Sequence, residues 1–380
     1  MREFPMNELQ QRRLQLAFLA LGCFLFSPVS EAEEIRRGLS ANQVTAIEQS
    51  IAAEMSRQKL VGVSVGILQN GEIAFTGGAG LSNREKKTPM TTNTVVNWAS
   101  NSKPVIAMLA MQLVEQGKLD LDADVQKYVP EFPKKDYPIT TRQLLCHQSG
   151  LPHYSNGRII PSPGARDEQK DLNPLFAIKR FDRSPLIFVP GTKTDYSSHA
   201  YVLLSAVVQQ AGGESIASQL DQRIIIPLGL VSFELDVPTR GQKEWAMGYT
   251  KNSAGKIIPS PEQANAWKHG AGAYKSNVND FSKWAQAVMN QSLINAETQQ
   301  IMWTRQTLLD GTSSNYGLGV RVEGSGRRLK ISHNGSQAET KTRMVLYPNQ
   351  KHGVVVMSNC NYADPMAIST AVYKALRASR

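Results

Sequence analysis

Two hydrophobic periods follow one another in the first part of the chain. Apolar side chains recur every three or four residues over 41–58, which predicts an amphipathic helix. Residues 61–67 then alternate between apolar and small or polar side chains, as a half-buried strand does. Asn70-Gly71 follows as a two-residue hairpin signal, and the return strand is expected to begin at 72–75. The chain is therefore predicted to open with a helix and a β-hairpin.

Helical patterns fill the middle of the chain, and strand patterns return at its end. The central helices are separated by loops rich in proline and glycine. They are predicted at four places: 101–116, Thr140 or Thr141 to His147, 197–210 and 280–289. Three strands and a C-terminal helix follow: 329–333, 344–347, 354–357 and 367–376. The last two strands are expected to be joined by a turn over 348–353.

This order of elements predicts an α/β (α+β) fold. We expect the first and last strands to pair in one antiparallel β-sheet flanked by the terminal helices, with a mostly helical second subdomain beside it. The mature domain would be 33–380, with 33–98 and 277–380 in the sheet subdomain and 99–276 in the helical subdomain. A length of 380 residues and a hydrophobic content of 41% suit a chain that buries a large core.

The extreme N-terminus has the features of a processing signal. Two arginines precede an apolar run over 14–26, and Ser30 and Ala32 are small residues at the two positions that a signal peptidase reads. The run is too short to cross a bilayer comfortably. We therefore expect 1–32 to be a signal peptide and the mature protein to be periplasmic or secreted from a bacterium, without an integral membrane span. Lipidation at Cys23 is the second interpretation.

Charge and cysteine content narrow the range of partners. The formal net charge of +10 survives removal of 1–32, because that segment holds three basic and three acidic residues. A basic exported protein is drawn to anionic surfaces or to substrates that carry a carboxylate. No dense basic run with interleaved aromatic residues is present, which argues against a nucleic-acid partner. We expect Cys146 and Cys360 to be buried thiols, with a single bridge between them as the alternative.

The first chemical motif is S-x-x-K at Ser100 to Lys103. Residues three apart at the start of a helix share a face, so the Ser100 hydroxyl and the Lys103 amine can meet. A serine needs a base to become a nucleophile, and a buried lysine of lowered pKa can be that base. The helix N-terminus adds partial positive charge for a developing oxyanion. On its own, the motif is more typical of a serine N-cap beside an exposed lysine.

Two further motifs follow in a defined order. A Y-S-S sequence at Tyr196 to Ser198 precedes a predicted helix, and an H-N-G sequence at His333 to Gly335 ends a predicted strand. With S-x-x-K, they make the chain resemble the class C-like branch of the serine β-lactamase and penicillin-binding protein family. That family shows S-x-x-K, Tyr-x-Asn, and Lys-Thr-Gly or His-x-Gly. Residues 117–133 look particularly like the mitochondrial serine β-lactamase-like branch and its bacterial relatives.

The resemblance implies roles at the catalytic positions. Ser100 would be acylated, and Lys103 and Tyr196 would share general-base and general-acid work. Moving a phenol from a pKa of roughly 10 to 7 requires about 4 kcal/mol. One cation about 4 Å away supplies on the order of 4 kcal/mol at an effective dielectric near 20. We therefore expect the Lys103 ammonium to be able to lower the pKa of Tyr196, with the two groups titrating as a coupled pair.

The resemblance also implies how substrate would be held. The backbone amides of Ser100 and Ser336 would form the oxyanion hole. His333 would replace the family's lysine and, with Gly335, line the strand that binds substrate. The chain departs from the family at Ser198, where the family has an Asn that holds the substrate's side-chain amide and the lysine. A hydroxyl offers less reach than a carboxamide, so the departure bears on penicillin recognition and leaves the catalytic centre intact.

Together these features predict a serine hydrolase that forms an acyl-enzyme on Ser100 and hydrolyses β-lactams or related amide bonds. The alternatives are a D-Ala-D-Ala carboxypeptidase or peptidase, an esterase, and a penicillin-binding-like scaffold without turnover. The expected partner is a small-molecule or peptide substrate with a carboxylate. No metal or cofactor is expected, because the six histidines show neither H-x-x-x-H nor H-E-x-x-H spacing.

Overall fold

The computed structural model of the chain describes residues 34–165, 172–237, 245–261 and 263–378. The expected signal peptide and its Cys23 lie outside the described residues. Within the described ranges, none of the helices combines the length and the apolar character needed to cross a membrane.

A seven-stranded antiparallel sheet dominates one side of the fold, in the order β3-β2-β1-β12-β11-β10-β9. The strands of the described residues are β1 Gly62–Gln69, β2 Glu72–Asn83, β3 Thr88–Pro89, β4 Val96–Asn97, β5 Glu234–Leu235, β6 Tyr249–Lys251, β7 Ile257–Pro259, β8 Tyr274–Ser276, β9 Arg321–Glu323, β10 Lys330–Gln337, β11 Thr340–Tyr347 and β12 His352–Ser358. The central pair is β1 and β12, with Val65 opposite Val356. The predicted pairing of the first and last strands is confirmed.

The helices agree closely with the periodic segments of the sequence. The α-helices of the described residues are α1 Ala41–Gln58, α2 Ser102–Glu115, α3 Thr141–Leu145, α4 Pro174–Ala177, α5 Ser198–Gly212, α6 Ile216–Leu220, α7 Ile226–Leu228, α8 Val278–Met289, α9 Ala296–Trp303 and α10 Pro365–Ala378. α1 begins with a capping box in which the Ser40 and Gln43 side chains each accept the other's backbone amide. Lys59 ends it in the left-handed conformation.

Helices cover both faces of the central strand. α1 and α10 pack on one face, where Ile51 and Val372 join Val63 in an apolar cluster. On the other face α8 lies so close that a Cβ at Gly66 would collide with the Ser282 hydroxyl. The expectation of a half-buried β1 is therefore wrong, because its small alternate residues face a helix and not solvent. The predicted α+β architecture is confirmed.

The helical part of the fold is built around α2. This helix is buried along most of its length and shares one large apolar core with α5. β4 pairs with β8, which ties the segment before Ser100 to the segment before α8. The boundaries of the two subdomains stay a prediction. Cys146 and Cys360 are both buried free thiols.

Candidate active site

Ser100 lies in a single 3-10 turn, Ala99–Asn101, that leads directly into α2. Ala99 has a positive φ of 48°, which is unusual for a residue with a side chain, and its amide donates to Asn97 Oδ1 at 2.6 Å. The neighbouring Ser102 is buried and accepts the Tyr274 amide at 3.1 Å. The Ser102 hydroxyl therefore has a structural role, whereas Ser100 faces a cavity.

Lys103 is fully buried and touches Ser100, as its spacing predicts. Its Nζ lies 3.1 Å from Ser100 Oγ, 3.1 Å from Ser198 Oγ and 2.6 Å from the Ala271 carbonyl oxygen. In the described parts of the chain no carboxylate forms a salt bridge with it. Burial, with a smaller contribution from the Lys268 charge, holds the pKa of Lys103 well below its ordinary value. Burial therefore favours the uncharged amine, which is the form that has a lone pair to accept a proton.

Tyr196 completes the predicted cluster. Its ring lines the same cavity as Ser100, and the Lys103 Nζ lies 4.8 Å from the ring centre. Burial raises the pKa of Tyr196 well above its ordinary value, although one side of the ring faces the cavity. The expectation that Lys103 lowers this pKa is wrong for the free protein, because burial of the phenol is the largest effect on its pKa and Lys103 does not offset it. Ser100 thus lies beside an amine whose pKa is lowered by burial and a phenol whose pKa is raised by burial.

Two histidines hold the start of α5 in place. The Ser197 amide donates to His147 Nδ1 at 3.2 Å, and the Ser198 amide donates to His153 Nδ1 at 3.1 Å. The His147 ring also packs 4.3 Å from the Tyr196 ring. Burial lowers the pKa of both histidines, to about 4 for His153, so both accept these bonds as neutral imidazoles. Sequence reasoning missed this role, since helix caps are usually sought among serine, threonine, asparagine and aspartate.

Strand β10 forms the opposite wall of the site. A Cβ at Gly335 would collide with the Trp98 carbonyl oxygen and the Thr342 hydroxyl, so only glycine lets the strand approach the Ser100 turn. Ser336 follows it and lines the same cavity. His333 is buried, and its pKa is lowered by burial to about 3. It therefore stands at the family's lysine position without supplying a positive charge.

The cavity between these walls has a volume of about 410 Å³. It is lined by every predicted site residue except the buried Lys103 and Gly335: Ser100, Tyr196, Ser198, His333 and Ser336. Lys268 and Arg321 also line it, whereas no aspartate or glutamate in the described ranges does. The sequence did not predict Lys268 or Arg321 as site residues, because each is an isolated residue with no motif around it. The described residues contain no group of three or more His, Cys, Asp or Glu side chains able to hold a metal.

Comparison with known proteins places this site in a family. The family model described as Beta-lactamase matches residues 47–379. The chain belongs to the Beta-lactamase family. This confirms the resemblance inferred from the three motifs, and the Beta-lactamase fold accounts for the meeting of Ser100, Lys103 and Tyr196 across nearly a hundred residues of sequence.

Individual relatives share only a quarter to a third of their aligned residues with this chain, and their names refer to different activities. The chain is 25% identical over 334 residues to the mouse "Serine beta-lactamase-like protein LACTB, mitochondrial", covering 64% of this chain and 59% of that protein. It is 32% identical over 186 residues to "Esterase EstB" of Burkholderia gladioli, covering 46% and 47%. The solved octameric penicillin-binding protein homologue from Pyrococcus abyssi matches with a TM-score of 0.71 at 25% identity, over 88% of this chain and 77% of that one.

Because the matches cover only part of the relatives, their substrates cannot be assigned to this chain from the comparison. This chain spans about three fifths of the length of the mammalian relatives. The Beta-lactamase family includes esterases, amidases and penicillin-binding-like proteins. Family membership therefore establishes a serine hydrolase fold, and the substrate must be argued from the site itself.

Proposed function

We propose that the protein is a serine hydrolase that forms an acyl-enzyme on Ser100 and acts on amide bonds, with β-lactams and related amides as its first substrate class. The observation that carries this proposal is the buried Lys103 amine 3.1 Å from Ser100 Oγ, with Tyr196 lining the same cavity; burial holds the pKa of Lys103 well below and that of Tyr196 well above the ordinary value. A neutral base and a protonated acid beside one hydroxyl are what acyl transfer requires.

In the acylation step Ser100 Oγ attacks the substrate carbonyl carbon while Lys103 Nζ takes the hydroxyl proton. The carbonyl oxygen becomes an oxyanion that the backbone amides of Ser100 and Ser336 stabilise. When the carbon–leaving-group bond breaks, Tyr196 donates its proton to the departing nitrogen or oxygen. The step leaves an ester on Ser100, an ammonium on Lys103 and a phenolate on Tyr196.

Deacylation returns both protons. The Tyr196 phenolate removes a proton from a water molecule as that water attacks the ester carbonyl, and the Lys103 ammonium gives its proton to Ser100 Oγ as the ester bond breaks. The product is a carboxylic acid, and all three side chains regain their starting states. Two unit charges about 5 Å apart attract by about 3 kcal/mol at an effective dielectric near 20, which supports the transient ion pair.

The lining of the cavity supports a substrate with a carboxylate. Arg321 lies on β9, with its guanidinium 5.1 Å from the Tyr316 ring centre and no salt-bridge partner among the described residues. Lys268 Nζ donates to Asn265 Oδ1 at 2.8 Å and lines the same cavity. Asp236 and Glu339 act electrostatically on Lys268, but no aspartate or glutamate of the described residues lines the cavity itself, so the two cations favour an anionic ligand there. β-Lactams and D-alanyl peptides both carry a carboxylate beside the amide that is cleaved.

Esterase activity is the second candidate, and the match to a named esterase favours it. The same acylation chemistry serves an ester, whose alkoxide leaves more easily than an amine. A steady-state panel separates the candidates: a cephalosporin, a carbapenem, a D-Ala-D-Ala peptide and a nitrophenyl ester. The highest kcat/KM identifies the substrate class.

We further propose that the protein is exported to a bacterial periplasm or secreted. Within 1–32, basic residues are followed by an apolar run and then by small residues, and this order supports the proposal. Expression of the full chain in a bacterial host, followed by fractionation and N-terminal sequencing, tests it. A mature protein beginning at Glu33 in the periplasmic fraction is expected, and uncleaved chain in the cytoplasm would contradict it.

Acylation itself is tested with a fluorophosphonate probe and a labelled penicillin on three proteins. Wild type is expected to gain one label, located on the peptide that contains Ser100. Ser100→Ala should gain none, and Ser102→Ala, which removes the neighbouring scaffold hydroxyl, should still be labelled. Equal labelling of wild type and Ser100→Ala would support a scaffold without turnover and reject the proposal.

A further inference from the structure

His153 is a second polar group that the fold brings to the cavity beside the catalytic cluster. The residue follows Pro152 at the start of a loop, is half-buried, and lines the cavity. Its ring packs against Tyr154, tilted by 38° with the ring centres 4.3 Å apart, and meets the Tyr196 ring edge-to-face at 5.6 Å. These contacts fix the plane of the imidazole, so its two nitrogens have defined directions.

One hydrogen bond determines where the imidazole carries its proton. His153 Nδ1 lies 3.1 Å from the Ser198 amide nitrogen, and a backbone amide can only donate. Nδ1 must therefore be unprotonated, which leaves the hydrogen of the neutral ring on Nε2. The ring presents an N–H donor on the side opposite the helix.

That donor is accessible and unused. The Nε2 atoms of His147 and His333 are buried, whereas that of His153 is not, and none of the described residues accepts a hydrogen bond from it. Ser198 also lines the cavity, but it is 2% exposed and its Oγ accepts from Lys103 Nζ at 3.1 Å. Its hydroxyl hydrogen can rotate, so Ser198 gives no donor of fixed direction. His153 Nε2–H is thus the fixed donor on this wall of the cavity.

The two walls differ in the ligand chemistry they suit. Arg321 and His333 lie on the wall formed by β9 and β10, and a guanidinium there suits the carboxylate on the leaving-group side of a β-lactam or peptide. His153 lies on the other wall, in a loop that packs against the start of α5, so a substrate whose carboxylate meets Arg321 would turn its acyl side toward His153. A neutral N–H suits a neutral acceptor such as an amide carbonyl oxygen.

We propose that His153 is a specificity-determining residue whose Nε2–H binds the carbonyl oxygen of an amide on the acyl side of the substrate. This inference rests on the proposed acyl transfer at Ser100. It predicts that the protein prefers acyl groups with an amide next to the scissile carbonyl over plain alkyl acyl groups.

Two substitutions separate the two nitrogens of the ring. In His153→Asn the carboxamide oxygen can take the place of Nδ1 and keep the Ser198 amide bond, but no donor reaches the position of Nε2. In His153→Gln the longer carboxamide can place an N–H near the position of Nε2, but the bond to the Ser198 amide is lost. Two 4-nitrophenyl esters with the same leaving group serve as substrates, N-acetylglycine ester and butyrate ester.

The measured quantity is the ratio of kcat/KM for the acetylglycine ester to that for the butyrate ester. His153→Asn is expected to lower this ratio about fivefold to tenfold relative to wild type, the size of one hydrogen bond, whereas His153→Gln stays within about threefold. A lower ratio in Gln and an unchanged ratio in Asn would overturn the inference and leave His153 as a cap of α5. Equal ratios in all three proteins would also overturn it.

The test distinguishes this inference from the function on which it rests. If neither ester acylates Ser100 in wild type, the proposed function fails and this inference fails with it. If wild type is acylated but the ratio does not follow the donor at Nε2, only the inference about His153 fails. Melting temperatures of both variants show that the compared proteins are folded.

Discussion

At the scale of single residues, the charge of Lys103 decides the chemistry. A buried ammonium needs a carboxylate partner, and none forms a salt bridge with this one in the described residues, so burial lowers the pKa of Lys103 and favours its uncharged form. The spacing of S-x-x-K could predict the contact with Ser100, because helix geometry is local. It could not predict the protonation state, which depends on side chains such as Lys268 and Ser198 that distant parts of the chain bring in.

Arg321 provides the first residue-scale prediction. If its guanidinium binds the substrate carboxylate, Arg321→Gln should lower the ratio of kcat/KM for a carboxylate-bearing substrate to that for its methyl ester by about tenfold to a hundredfold, the range of one charged hydrogen bond. Steady-state kinetics on the two matched substrates measures the ratio.

Arg327→Gln is the matched control for Arg321, because Arg327 is exposed and does not line the cavity. It removes one positive charge a few residues away and tests for a general field effect. An equal loss of the ratio in both variants, or no loss in Arg321→Gln, would contradict a direct contact.

At the scale of elements, the site depends on how closely strands approach their neighbours. Hydrophobic periodicity predicted α1, α2, α5, α8 and the central strands, because each of these elements buries a face whose period the sequence displays. It failed for the second face of β1, where Gly66 and Ser64 resemble solvent-facing residues but lie under α8. The close approach of β10 to the Ser100 turn was likewise visible in the sequence only as the glycine of a motif.

Gly335→Ala tests the importance of that approach. The added methyl group would meet the Trp98 carbonyl oxygen and the Thr342 hydroxyl, so β10 must move away from the Ser100 turn. We expect kcat to fall at least a hundredfold, because an oxyanion-hole donor displaced from its position costs about 3 kcal/mol. Steady-state kinetics and a chemical denaturation curve are measured together.

Gly62→Ala is a control with the same kind of clash elsewhere in the sheet. Its added methyl group would meet the Leu81 carbonyl oxygen, at a position that does not line the cavity. It should lower the free energy of unfolding while leaving kcat of the folded fraction near that of wild type. A comparable loss of kcat in both variants would mean that general destabilisation, and not the approach to Ser100, explains the Gly335 result.

At the scale of the whole molecule, buried neutral histidines make the fold sensitive to acid. His147, His199 and His333 are each at most 5% exposed, and burial lowers the pKa of all three, to about 4 for His199 and about 3 for His333. In the unfolded chain each would bind a proton near pH 6.5. The burial of these three histidines could not be predicted from the sequence, because a single histidine does not form a periodic hydrophobic pattern.

The sign of the pH effect follows from proton binding. Between pH 6.5 and about 4 the unfolded chain binds more protons than the native state, so stability is fully present above about 6.5 and is lost as pH falls. Each such histidine adds a slope on the order of 1.4 kcal/mol per pH unit. Urea denaturation at pH 7.5, 5.5 and 4.5 should show a steep decline in the free energy of unfolding.

His199→Asn isolates one of these contributions. The carboxamide can still donate to the Pro152 carbonyl oxygen, which His199 Nδ1 meets at 2.8 Å, but it does not titrate. The variant should therefore show a shallower decline between pH 6.5 and 4.5 than wild type. Identical slopes, or a wild type whose stability is level across this range, would be inconsistent with a neutral buried His199.

The most direct test of the mechanism is the pH dependence of the pre-steady-state burst of 4-nitrophenol, which reports acylation of Ser100. Burial lowers the pKa of Lys103 and raises that of Tyr196, so we expect an uncharged amine and a protonated phenol above pH 8: the burst rate constant should be level between about pH 8 and 10, and Ser100→Ala should show no burst. A rate constant that climbs about tenfold per pH unit toward the ordinary lysine pKa near 10.4 would show that Lys103 is a cation in the free protein and would contradict its role as the base.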